Sequence, residues 1–110
     1  MRIYIAGPMT GYPNDNRQAF IEAEEWLNAL GHQPLNPARI ALSEGASWLD
    51  AMRQCLKLIA NADGLALLPG WEHSRGATIE NDLAHCLGFE IRELNEWEES
   101  IHHINERNQK

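Results

Sequence analysis

In the stretch Ser74–Gly88, SRGATIENDLAHCLG, one carboxylate stands where an apolar side chain is expected. Wound as a helix from Ala77 at about 100° per residue, Ile79, Leu83, Ala84, Cys86 and Leu87 fall on one side, and Glu80 falls among them. Thr78, Asn81, Asp82 and His85 take the other side. Burying a charge is costly unless it is paired or used. Paired, Glu80 would sit at the rim of the stripe against an arginine such as Arg75 or Arg17. Used, it would lie one turn from a helix start, where the dipole favours the ionised form. An ionised, held carboxylate is a nucleophile or a cation stabiliser rather than a general acid. That chemistry suits a glycosidic bond, where a carboxylate meets a developing oxocarbenium carbon.

Two loops could present a ligand to such a group: AGPMTGYP near the N-terminus and PGWEHSRG before the Glu80 helix. Both hold glycines that let backbone approach a ligand. The second runs into a helix N-terminus, which suits a phosphate or a carboxylate. Glycine and proline also serve simply as turn residues, so spacing alone leaves both readings open.

The surrounding elements alternate. RIYIAG reads as a first buried strand ending at Gly7-Pro8, followed by the loop PMTGYPNDN. From about Asn16 to Leu30, Ala19, Phe20, Ala23, Trp26, Leu27 and Leu30 recur at helical spacing, with Gly31 as the stop. HQPLNPA has room only for a short extended segment between its prolines. Ser47 and Asp50 form a capping box before a helix whose inner stripe is Trp48, Ala51, Met52, Cys55, Leu56 and Ile59. GLALLPG is a continuous apolar run suited to a strand buried on both faces. The Glu80 helix stops at Gly88, FEIREL forms a last strand, and a tail from Asn95 is helical through Trp97, Ile101 and Ile104 or flexible. The expected fold is α/β: a small Rossmann-like or flavodoxin-like parallel sheet of about four strands with helices on both faces. The expected division is a domain over 1–94 and a tail over 95–110.

A chain of 110 residues suits a single core. Its formal charge of −7 argues against a nucleic-acid polymer as partner, because phosphate neutralisation needs a Lys/Arg surface. A small anion at one local site remains compatible. No stretch approaches the roughly 20 apolar residues of a membrane span, and the first apolar run is short and broken, so the expectation is a cytoplasmic protein without a signal peptide. Cys55 and Cys86 lie in apolar stripes without C-x-x-C spacing and are expected to be buried thiols. The five histidines are scattered, so neither a metal nor a cofactor is expected.

Taken together, IYIAGPMTG, NADGLALLPGW and SRGATIENDLAHCLG resemble the nucleoside 2-deoxyribosyltransferase-like superfamily, most closely its short DUF4406 branch, often phage-encoded. The resemblance reaches to about Leu94. It implies cleavage of the N-glycosidic bond of a deoxynucleoside or its 5′-monophosphate, with Glu80 attacking C1′ to form a deoxyribosyl-enzyme that passes to another base or to water. It also implies that Tyr4 lies beside the nucleophile and that Ser74 helps to hold a 5′-phosphate at the helix start, with Arg75 and Gly76 following it. Gly7, Thr10 and Gly11 would belong to a first loop closing around sugar and phosphate. One position departs from the pattern: the family's second Asp, eight residues before the Asp that opens the third strand, corresponds to Cys55. A thiol is a poor stand-in for a carboxylic acid, so the chain is either an enzyme with another proton source or a catalytically weak nucleotide-binding or sequestering module. Family relatives build sites between subunits, and Trp71 and Trp97 lie outside obvious stripes. A homo-oligomer, dimer or larger, is therefore expected.

Overall fold

The computed structural model describes residues 1–100. Four strands alternate with three helices: β1 (Arg2–Ala6), α1 (Arg17–Ala29), β2 (Gln33–Leu35), α2 (Trp48–Ile59), β3 (Gly64–Leu67), α3 (Arg75–Cys86) and β4 (Glu90–Glu93). The strands form one sheet in the order β2-β1-β3-β4, every pair parallel. Tyr4 is in register with Leu35 on one side and Leu65 on the other. This is the α/β architecture expected from the alternation of apolar patterns.

Strand alternation divides the core into two layers. Ile3, Ile5, Ala66 and Leu68 face α1 and meet Phe20, Ala23 and Leu27. Tyr4, Ala6, Leu65 and Leu67 take the other face and meet Ile59 of α2 and Ala77 and Ala84 of α3. Both central strands are covered on both sides, which is why GLAL reads as an unbroken apolar run.

The punctuation residues act as their chemistry dictates. Ser47 Oγ accepts from the Asp50 N–H at 3.0 Å while the Asp50 carboxylate accepts from the Ser47 N–H at 3.1 Å, completing the capping box of α2. Helix α1 ends in a Schellman motif: Gly31 adopts φ 87°, its N–H donates to Asn28 O, and the His32 N–H donates to Leu27 O. Gly88 closes α3 in the same way, with its own N–H on His85 O and the Phe89 N–H on Ala84 O.

Three expectations need correction. Helix α3 begins at Arg75 rather than Ala77, because Ser74 caps it: its Oγ accepts from the Ala77 N–H at 3.2 Å. Its inward face is Ala77, Glu80 and Ala84, while Ile79, Leu87 and Cys86 are exposed, so Cys86 is not a buried thiol. The two alanines let the helix lie close on the sheet, so only a narrow strip of it is covered and the flanking apolar residues stay outside. Trp97 is buried in the α1-side core and meets His32 edge-on at 5.5 Å. Trp71 is half-buried against the opposite layer.

In the tail, Leu94–Glu96 forms one 3-10 turn and residues 97–100 are not helical. Ile101 and Ile104 lie outside the described residues. Among the described residues no helix is long and apolar enough to cross a membrane.

Candidate active site

The chain leaves β1 for β2 on one side and returns to β3 on the other. Strand order therefore reverses between β1 and β3, and at the carboxyl ends of two such strands the emerging loops part to leave a crevice. The loop after β1 starts at Gly7, where a Cβ would come within 2.7 Å of Leu68 Cβ. The loop after β3 turns at Gly70, which adopts φ 87° beneath the Tyr12 hydroxyl. Each glycine is required: the first by close approach of the two loops, the second by a left-handed turn as well.

Between these loops lies a cavity of about 270 Å³. Tyr4 from β1, Cys55 from α2 and Glu80 from α3 line it together. Glu80 is 5% exposed. The Tyr4 hydroxyl donates to Glu80 Oε2. Glu80 Oε1 has no protein partner among the described residues and is not sealed from the cavity. Among the described residues no arginine pairs with the carboxylate. Arg17 donates to Ala38 O at 2.9 Å, and the Arg75 guanidinium lies over the Trp48 ring, 4.0 Å from its centroid.

Burial pushes the Glu80 carboxyl up to about 7, with the Tyr4 hydrogen bond pulling it part of the way back. The expectation that the dipole holds Glu80 ionised is thereby corrected: Glu80 is the sixth residue of α3, and the dipole's influence fades beyond the first turn. Tyr4 is raised well above the usual phenol value, by burial first and then by the Glu80 charge. Burial also raises the Cys55 thiol, partly offset by its hydrogen bond with Tyr4. Near neutral pH the cluster thus holds a neutral phenol, a neutral thiol and a carboxyl close to half ionised.

This carries a pH signature in stability. In the unfolded chain Glu80 ionises near 4.5, in the folded chain near 7. Between those values the native state binds the extra proton on Glu80, so this group's contribution to stability is fully present below pH 4.5 and is lost as pH rises through 7. The loss from this group is roughly 3 kcal/mol, at about 1.4 kcal/mol per unit. Thermal unfolding from pH 5 to 8 should show this fall in the wild type and a shallower one in Glu80→Gln; parallel curves would remove the assignment.

Of the other expected residues, Gly7, Thr10, Ser74 and Gly76 line the same cavity. Gly11 does not: it is exposed, with φ 86°, and serves the turn. Arg75 also stands outside, lining an adjoining groove with Thr10, His73 and Ser74. Ser74 combines two roles, since its oxygen caps α3 while its hydroxyl proton stays available at the cavity wall. Trp48 and Met52, expected only as part of the core stripe of α2, also line the cavity. Asp15, expected only inside a loop, is a further lining residue. The signal for Asp15 was the run Asn14-Asp15-Asn16, three residues that tolerate left-handed backbone.

Residues 1–93 match the family described as a domain of unknown function, DUF4406. No curated protein matches the chain. Among solved structures, a 2-deoxyribosyltransferase from the psychrotolerant bacterium Bacillus psychrosaccharolyticus, characterised as a biocatalyst for nucleoside synthesis, superposes with a TM-score of 0.65. The two are 23% identical over 83% of this chain and 69% of the other. The likeness is one of fold.

Proposed function

The chain belongs to the DUF4406 family, and we propose that it binds a nucleoside or deoxynucleotide and cleaves its N-glycosidic bond, or transfers the sugar, through Glu80. The observation that carries this reading is the buried Tyr4–Glu80 pair lining a cavity at the strand switch point. Burying a carboxyl there is costly, and Glu80 has one hydrogen-bonding side chain and no cation among the described residues to offset it. The solved 2-deoxyribosyltransferase of the same fold supports the substrate class.

Each residue has a part in that reaction. Tyr4 donates to Oε2 and fixes the carboxylate plane, so Oε1 is the oxygen free to attack C1′. The C1′–N bond breaks with its electron pair going to the base nitrogen, which takes a proton from water admitted at the cavity mouth. The glycosyl ester on Glu80 then passes to water or to a second base. Phe20, Trp48 and Met52 supply apolar wall for a flat ring. Thr10, Ser74 and the start of α3 offer donors to the sugar or a 5′-phosphate, with Arg75 in the adjoining groove.

The test is incubation with the common 2′-deoxynucleosides and their 5′-monophosphates, monitored for free base by chromatography and for binding by calorimetry. Base release with one or more of them is the expected result. Binding heat without release would make the chain a sequestering module, a reading that Cys55 in the place of a second carboxyl favours. Neither heat nor release would overturn the nucleoside assignment.

A further inference from the structure

Among the described residues Asp15 is the one other carboxylate lining the Glu80 cavity, and no lysine, arginine or histidine lines it. Its placement has a local cause. Asn14, Asp15 and Asn16 all adopt left-handed backbone, with φ of 53°, 54° and 61°. L-residues pay for that conformation, and Asn and Asp tolerate it best among residues with side chains. The turn is tied at both ends: the Asp15 N–H donates to Tyr12 O at 3.1 Å, and Asn16 Nδ2 donates to Pro8 O at 2.9 Å. The strained triplet thus delivers one acidic side chain to the cavity mouth. There the carboxylate has no hydrogen bond or ion pair with any described residue. The nearby Arg17 is spent on Ala38 O.

An ionised carboxylate only accepts hydrogen bonds, and no cation among the described residues lines this cavity, Arg75 standing in the adjoining groove. We propose that Asp15 is a specificity-determining residue whose carboxylate accepts a hydrogen bond from an O–H or N–H donor of an uncharged ligand. The proposal rests on the nucleoside reading of the site. Two donors of a nucleoside qualify: a sugar hydroxyl and the exocyclic amine of the base. In either case Asp15 supplies orientation at the mouth while Glu80 supplies the chemistry below.

Asp15→Asn and Asp15→Gly test this without breaking the turn, since both residues accept left-handed backbone. Binding of 2′-deoxyadenosine and 2′-deoxycytidine is measured by calorimetry, alongside analogues lacking the 3′-hydroxyl, the 5′-hydroxyl or the base amine. The expected result is affinity 10- to 100-fold weaker in the glycine variant, less so in the asparagine variant, with an unchanged Tm. A hydrogen bond to a charged group is typically worth about that factor. The analogue lacking the recognised donor should bind wild type and variants equally, which distinguishes sugar from base. Variants that bind as tightly as wild type overturn the role of Asp15. So does a loss equal for every analogue, which marks a merely structural part. A wild type that binds neither nucleoside overturns both this proposal and the function it rests on.

Discussion

Replacing Glu80 with Gln is expected to lower base release by on the order of 10⁴-fold or more, while ligand binding and folding persist. The amide is nearly isosteric and still accepts the Tyr4 hydrogen bond through its oxygen, so the buried pair stays satisfied. It cannot form the glycosyl ester. It also removes a carboxyl that burial holds at about 7, so the variant should be at least as stable as wild type at pH 8. Wild-type kcat/KM should rise with pH through about 7, as the attacking oxygen loses its proton. Single-turnover assays across pH 5.5–8.5, with calorimetry on both proteins, check each part. Unreduced turnover in Glu80→Gln would end the covalent mechanism. Lost turnover together with a collapsed Tm would mark Glu80 as a structural acceptor for Tyr4.

The sequence exposed this site because Glu80 interrupts an apolar pattern, and the structure bears out its burial though not the stripe assigned around it. Ile79, Cys86 and Leu87 looked like the inner face because hydrophobicity alone does not say how closely a helix approaches a sheet. Ala77 and Ala84 decide that, and small residues carry little weight in a periodicity. The central strands were legible, since GLAL and IYIA can be continuous and apolar only when covered on both faces. The capping box and the glycine stops were legible for a related reason: their chemistry is local. The meeting of distant segments is hidden from composition and spacing: Tyr4 and Glu80 lie 76 positions apart, and only the family resemblance placed them side by side, as their hydrogen bond bears out. The burial that raises the carboxyl emerges only when β1 and α3 pack. Asp15 stayed hidden because Asn and Asp in a loop ordinarily mean only a turn.

The gain expected from Cys55→Asp follows from the same packing. Cys55 stands in the cavity wall with Tyr4 and Glu80, and both groups act on its thiol, which burial raises first. Its thiol is raised by burial and gives up a proton reluctantly, so it serves the leaving base poorly as an acid. An Asp at this position would place a second carboxyl beside Glu80. Two carboxyls sharing a buried site cannot both ionise readily, so one stays protonated near neutral pH and becomes a donor. General acid catalysis typically contributes 10²–10⁴-fold, and base release should rise by part of that range. The pH profile should change from a single rise to a bell, because activity then needs one carboxyl ionised and its neighbour protonated. In its protonated form the new carboxyl can donate to the Tyr4 oxygen, whose own proton goes to Glu80, which limits the destabilisation, and the Tm reports whether it does. If Cys55→Asp folds, binds nucleoside and releases base no faster, the leaving base draws its proton from elsewhere in the cavity, and Cys55 is wall alone.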